Sequence, residues 1–271
     1  MSTDTIETSI GRAPVLHRLA LGIVVRDAVT DAAVTSSLRV GWEASGHLLP
    51  RDATDDWPCV DFETVGGGRY RLRDTPRRPA LLTVRVNDPS RRYVSRRLSV
   101  QLWSHDELTD PLPANHIAVR SRTLQVWLWP GAAHPLPPGT TAIRGRVVRN
   151  GRAVPWTRVS GIGPTGTAIG RGHGDDRGEF IIRLSDTSQN PVQSSVPVRV
   201  IVRGPTSTPE LPPIEVVTRP ANPPAPGDLD NAVLRGVAPP AGHVLSIPPP
   251  PQFIVPVGGV HVPTSDIPFL P

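Results

Sequence analysis

The chain has 271 residues and a mass of 29.1 kDa, room for about two domains at ~100–200 residues each. Its 34 prolines, about 12.5% of the chain against a typical ~5%, argue against a mainly helical protein, because proline removes a backbone donor and clashes inside helices. Helix bundles, coiled coils and TIM barrels are disfavoured with it, and a net charge of +5, with arginine as the only cationic side chain besides histidine, is too small to name a partner.

In chain order, the segment from Leu16 to Trp103 reads as short alternating strands broken by Gly, Pro and Asp. Leu21–Asp27, Leu38–Trp42, Arg69–Arg73 after the turn Gly66-Gly67-Gly68, Leu81–Val86 and Tyr93–Val100 are the predicted strands. Ser104–His116 is turn-rich, and Ala118–Trp129 is a further strand halted by Pro130-Gly131. A second strand-rich unit begins near Thr141. Ala142–Arg149 runs to an Asn150-Gly151 step, the strongest short hairpin signal, and Ala153–Val159 is its predicted return. Asp175-Asp176-Arg177-Gly178 is a turn before Glu179–Leu184, and Val196–Val202 follows.

The two units echo each other. Gly22–Asp27 aligns with Gly145–Asn150, and Gly68–Leu72 with Gly178–Ile182. The fold expected is all-β: two related β-sandwich units followed by an extended Pro-rich C-terminal arm. The boundaries are a flexible N-terminus at 1–15, a first sandwich at 16–104, a connector with one strand at 105–140, a second sandwich at 141–204 and the arm at 205–271.

The arm holds 18 of the prolines and a net charge of −3, against +8 for the rest. Proline keeps it extended, and apolar residues recur along it at intervals, with Leu245, Ile247, Phe253, Ile254 and Phe269 as candidate anchors. The expectation is an arm without a core of its own, ordered by contact with other surfaces. Deleting residues 220–271 is then expected to leave the melting of the body nearly unchanged.

Chemistry-bearing motifs are scarce. Cys59 is the single cysteine, which excludes an internal disulfide, and it sits in an apparent strand entry, Trp57–Phe62. There is no G-x-S-x-G, and without lysine no Walker or Schiff-base chemistry. Gly66–Gly68 precedes a strand, so it lacks the helix N-terminus that a phosphate loop uses. His173-Gly174-Asp175-Asp176 has no second histidine at ligand spacing, and a turn accounts for both aspartates. Asp52, Asp55 and Asp56 read as a solvated acidic loop. No enzymatic activity, cofactor or metal is expected. Met1–Glu7 lacks signal-peptide regions, and no apolar run reaches 18 residues. The expectation is a cytoplasmic protein with no membrane span, with later release in a particle left open.

Arg69, Arg71 and Arg73 share one face of a strand by period two, and Arg91 and Arg92 follow in the same arginine-rich stretch. Only Tyr70 and Tyr93 interleave, too few aromatics for stacking on nucleic acid. Acidic protein surfaces are the expected partners: other subunits of a large assembly, or the acidic arm of a second copy. Trp127 and Trp129 fall on one strand face, as core packing or as a stacking platform for carbohydrate.

Ile143–Val148 with Ala153–Val159, then Asp175–Phe180, resembles the carboxypeptidase regulatory-like family, whose pattern is G-x-V, a short turn, P-V-x-x-A-x-V and T-D-x-x-G-x-F. Trp156 and Thr157 stand where that family has small residues, and Asp175-Asp176 where it has threonine-aspartate. The resemblance covers about 70 residues and implies an Ig-like or transthyretin-like sandwich, an accessory module with no catalytic residues, so the expected architecture is two Ig-like/transthyretin-like β-sandwich units and the arm. The overall layout resembles proteins encoded beside phage-tail-like contractile injection systems. Together these readings give a non-enzymatic structural or adaptor protein docking into such a particle, with a carbohydrate- or polymer-binding module as the alternative.

Overall fold

The computed structural model describes residues 18–44, 58–185 and 194–271. The N-terminal segment 1–15, the acidic loop with Asp52, Asp55 and Asp56, and Trp57 lie outside the described residues. The chain is nearly all β. The first strands are β1 (Leu19–Asp27), β2 (Arg39–Glu43), β3 (Cys59–Asp61), β4 (Glu63–Gly66), β5 (Arg69–Arg73), β6 (Leu81–Asn87) and β7 (Arg96–Gln101). A one-turn helix α1 (His105–Thr109) follows, and then β8 (Thr123–Leu128). The later strands are β9 (Ala142–Arg149), β10 (Arg152–Ala153), β11 (Arg158–Ile162), β12 (Ala168–His173), β13 (Glu179–Leu184) and β14 (Ser195–Pro205). The C-terminal segment adds β15 (Ile214–Val217), β16 (His243–Leu245), β17 (Gln252–Pro256), β18 (Val260–His261) and β19 (Ile267–Pro268).

Two sheets share the first core. One has the order β4-β5-β1-β8 and the other β15-β7-β6-β2-β3. Period-two alternation sends Leu21, Ile23 and Val25 from β1 inward to meet Val84 and Val86 of β6, Leu98 and Val100 of β7, and Leu124 and Val126 of β8. The second core lies inside one large sheet of order β10-β9-β13-β12-β11-β14-β16, with β17 also on β14 and β18 and β19 also on β9. Ile143, Val147, Phe180, Ile182, Val198 and Val200 fill it.

Three expectations are corrected. The connector strand belongs to the first unit: β8 runs parallel to β1 from Gly22↔Thr123 to Asp27↔Leu128. The return after Asn150-Gly151 is not one strand. Both turn residues have positive φ, as a two-residue hairpin requires, but Trp156 also adopts φ +59 and separates β10 from β11. The connector also holds a helix that its sequence announces, because Ser104 and Glu107 form a reciprocal capping box at the start of α1.

The largest correction concerns the arm. Residues 205–271 are extended, yet they complete both units. β15 runs parallel to β7, β16 and β17 pair antiparallel with β14, and β18 and β19 run parallel to β9. Leu234 joins the first core, and Val255, Ile267 and Phe269 join the second. Without these strands β9 and β14 would each present an unpaired edge, and the second core would lose one wall.

With the C-terminal strands in place, the echo between units becomes a topological correspondence. β1 pairs β5 antiparallel and β8 parallel, while β9 pairs β13 antiparallel and β18 and β19 parallel. β6 lies between β2 and β7, as β14 lies between β11 and β17. One local device recurs atom for atom. The amide of Val25 donates to the Gly68 carbonyl and that of Val147 to the Gly178 carbonyl, at 2.8 and 2.9 Å. Val34 then donates to Val25, as Val154 does to Val147, both at 3.0 Å. The structure therefore aligns Val25 with Val147, shifted by one residue from the alignment expected from Gly22 and Gly145.

Candidate interaction site

The units meet along the segment that links the second unit to β15. Within β15, Glu215 and Val217 point inward while Ile214 and Val216 are exposed. Glu215 thus enters the interior, where Arg96, 1% exposed, binds it through Nε to Oε1 at 3.0 Å and Nη2 to Oε2 at 2.8 Å. The remaining donors of Arg96 reach the carbonyls of Trp127, Leu234 and Val233. All five guanidinium hydrogens are thereby used. Arg158 from the second unit donates Nη2 to Oε1 of the same Glu215 at 3.2 Å, and burial pushes its pKa down to about 10. One carboxylate from the C-terminal segment therefore bridges an arginine of each unit.

Around this node the junction is tied by further pairs. Arg91, at φ +57, reaches Asp176 with both contacts at 3.2 Å. The indole of Trp156 donates to the Pro209 carbonyl, and Arg97 to that of Pro212. A groove of about 470 Å³ lies here, with Arg91, Arg97, Asp88, Trp156 and Asp176 on its walls. Asp88 on its wall is engaged structurally: it accepts from the Ser90 and Tyr93 amides and the Ser90 hydroxyl, closing the loop that carries Arg91. Such pairs fix the position of one unit against the other.

The expected basic face is smaller than its arginine count. Arg71 and Arg73 both bind Glu63 of the neighbouring β4, at distances from 2.6 to 3.2 Å, and these bonds hold the Glu63 carboxyl down at about 2. Arg69 and Arg92 are exposed. The charge match between basic body and acidic arm exists within one chain, on Arg96 and Arg158 and not on Arg69–Arg73.

The tryptophan platform is corrected. Trp127 is 2% and Trp129 7% exposed, so neither offers a face to a sugar. The Trp127 indole donates to Asp31 at 2.6 Å beneath the Arg235 guanidinium, and that of Trp129 donates to the Arg235 carbonyl at 2.9 Å. Both rings brace the segment around Arg235.

The anchors of the arm divide between two faces. Phe269 is fully buried in the chain's own core and Phe253 packs half-buried against it, so both are corrected from docking residues to core residues. Leu245, Ile247 and Ile254 are exposed. Ile247 lies beside exposed Leu270, its amide donating to the Leu270 carbonyl at 2.9 Å. Leu245 ends β16, and Ile247 and Leu270 follow β16 and β19, so these exposed apolar residues lie at the C-terminal strands.

His173-Gly174-Asp175-Asp176 is a turn: Asp175 accepts from the amides of Arg177 and Glu179, both at 2.9 Å. Among the described residues no three His, Cys, Asp or Glu side chains gather as a metal site. Cys59 is buried, and burial pushes its thiol up to about 11, away from thiolate chemistry. No helix among the described residues is long and apolar enough to cross a membrane. Sequence reading missed Glu215, although a carboxylate inside the apolar run Ile214-Glu215-Val216-Val217 was its signal. Comparison with protein-family models, with curated proteins and with solved structures gives no match for this chain.

Proposed function

We propose that this chain is a non-enzymatic structural protein that docks into a multi-subunit assembly, using the C-terminal strands as its contact surface. The observation that carries this reading is the division of those strands. Val255, Ile267 and Phe269 fill the chain's own core, while Leu245, Ile247 and Leu270 are exposed, with Ile247 bonded through its amide to the Leu270 carbonyl. An apolar surface held on a rigid sheet suits a protein partner, since folded monomers seldom expose contiguous apolar patches without a role. The charged groups at the junction support the same reading, because they are engaged in holding two units together. The order of strand-rich units and Pro-rich C-terminal segment resembles proteins encoded beside phage-tail-like contractile injection systems, so such a particle is the assembly proposed and a neighbouring subunit the partner.

The test is co-sedimentation of the full chain with tail-like particles from lysate. Leu245→Asp with Ile247→Asp is expected to abolish incorporation while leaving the melting temperature within a few degrees of the parent. Unimpaired incorporation of that folded variant sinks the proposal.

A further inference from the structure

A second, smaller cavity lies on the outer face of the second unit. In the register of β11 with its neighbours, Arg158 stands opposite His173 of β12 and Arg203 of β14, and Ser160 opposite Arg171 and Ile201. Val159, between them, is buried in the core, so these side chains share the outward face. With Trp129, Gly236 and Pro239 they enclose about 140 Å³. That is well below the ~300–1,000 Å³ of pockets that hold drug-sized ligands, and fits a small ion.

The electrostatics of this cavity are one-sided. Arg96 and Arg158 share the single carboxylate of Glu215, so the buried node behind the cavity keeps one positive charge in excess. Arg171 and Arg203 stand exposed at the rim and make no ion pair among the described residues. No Asp or Glu side chain lines the cavity. Two buried polar atoms of its lining also have no partner among the described residues, the Nε of Arg158 and the Nδ1 of His173. His173 is 2% exposed, with Nε2 2.7 Å from the Gly236 carbonyl and its ring stacked on Trp129 at 5.2 Å. Nε2–H donates to that carbonyl, so in the neutral ring Nδ1 carries the lone pair. A buried donor without an acceptor carries its full desolvation cost, and excess buried charge calls for a counter-ion.

We propose that this cavity is a binding site for a small tetrahedral oxyanion of the phosphate class. Arg158, Arg171 and Arg203 supply charge-assisted donors, and Ser160 supplies a hydroxyl. Donors converging from three strands suit a tetrahedral anion such as phosphate better than a flat carboxylate. This assignment stands apart from the docking reading.

The test is calorimetric titration of the full chain with inorganic phosphate at physiological ionic strength, with intrinsic tryptophan fluorescence as a second readout. Phenyl phosphate in a parallel arm separates free phosphate from an ester: displacement of phosphate by it marks an ester-accepting site, and failure to displace marks a free-phosphate site, both within the proposal. Arg171→Gln with Arg203→Gln, both at exposed positions, is expected to weaken binding by about tenfold or more with melting unchanged. Arg199→Gln, exposed on β14 outside the cavity, is expected to leave affinity unchanged. Absence of phosphate binding overturns the proposal, as does equal binding by the double variant. Acetate binding as tightly as phosphate overturns the tetrahedral-oxyanion assignment.

Discussion

Arg96 and Glu215 meet across 119 residues of sequence, in a two-bond pair closed to solvent and shared with Arg158. This contact draws the C-terminal segment back through the molecule. Glu215 sits on a strand of the first unit, Arg158 belongs to the second, and the chain beyond Glu215 returns to complete the second.

Glu215→Gln keeps the shape and removes the charge, leaving two buried cations without a counter-ion. The expected loss is about 3–5 kcal/mol, the usual cost of breaking a buried pair from one side. Arg158→Met is expected to cost much less, since Arg96 and Glu215 remain paired. Urea denaturation of both variants checks the order, and equal losses would show that Glu215 is held mainly by Arg158.

Phe269→Ala opens a cavity in the second core and is expected to cost about 3–5 kcal/mol. A chain ending at Ser246 removes β17, β18 and β19 together and is expected to abolish cooperative melting of the second unit. Calorimetry of the truncated chain decides between this and the separable arm expected from sequence, which predicts nearly unchanged melting.

Gly68 and Gly178 both have φ +71, and a Cβ on either would lie 2.5 Å from the Val34 carbonyl oxygen or 2.6 Å from that of Val147. Each Gly→Ala change is expected to cost at least about 1–3 kcal/mol, from left-handed strain with the clash added. Gly67, at φ +59 with nothing within 4 Å of the added carbon, is the control and is expected to lose less. Matched denaturation curves for the three variants test the pairing, and a Gly67 variant as damaged as the other two would contradict it.

Stability is expected to fall on mild acidification. Burial first, and then the charges of Arg158 and Arg96, hold His173 well below its ordinary value of 6.5. Below pH 6.5 the unfolded chain therefore binds a proton that the folded chain refuses, so the contribution is complete above 6.5 and falls as pH drops. The slope is about 1.4 kcal/mol per pH unit for one proton. His243 and His134, also lowered chiefly by burial, add in the same sense. Asp175, raised by burial from 3.8, acts in the opposite sense at lower pH. Urea midpoints between pH 8 and 5, in buffers without phosphate, are expected to decline more steeply for the parent than for His173→Gln. Identical slopes would remove His173 as a contributor.

How much of this was legible depended on the range of the interactions involved. Strand content, the Asn150-Gly151 turn and the Asp175 turn follow from neighbouring residues: proline excludes long helices, alternation defines faces, and positive φ selects glycine and asparagine. The repeat was visible in outline for the same reason, because Gly68 and Gly178 each precede a strand. The one-residue error in its alignment came from matching glycines by identity. The conserved geometry instead joins Val25 to Gly68 and Val147 to Gly178, a contact between strands.

The fate of residues 205–271 was not legible. Their proline content fixed an extended backbone, and an extended segment with spaced apolar residues fits a partner's surface and its own core equally well. Burial of Phe269 and Val255, and exposure of Ile247 and Ile254, depend on which open edge the segment meets. The same holds for Glu215, whose partners lie 119 and 57 residues away, and for Trp127 and Trp129, which the segment around Arg235 helps to cover. Backbone preference is a property of adjacent residues and can be read along the chain. Which surface an extended strand completes is set by edges and charges that only the folded molecule brings together.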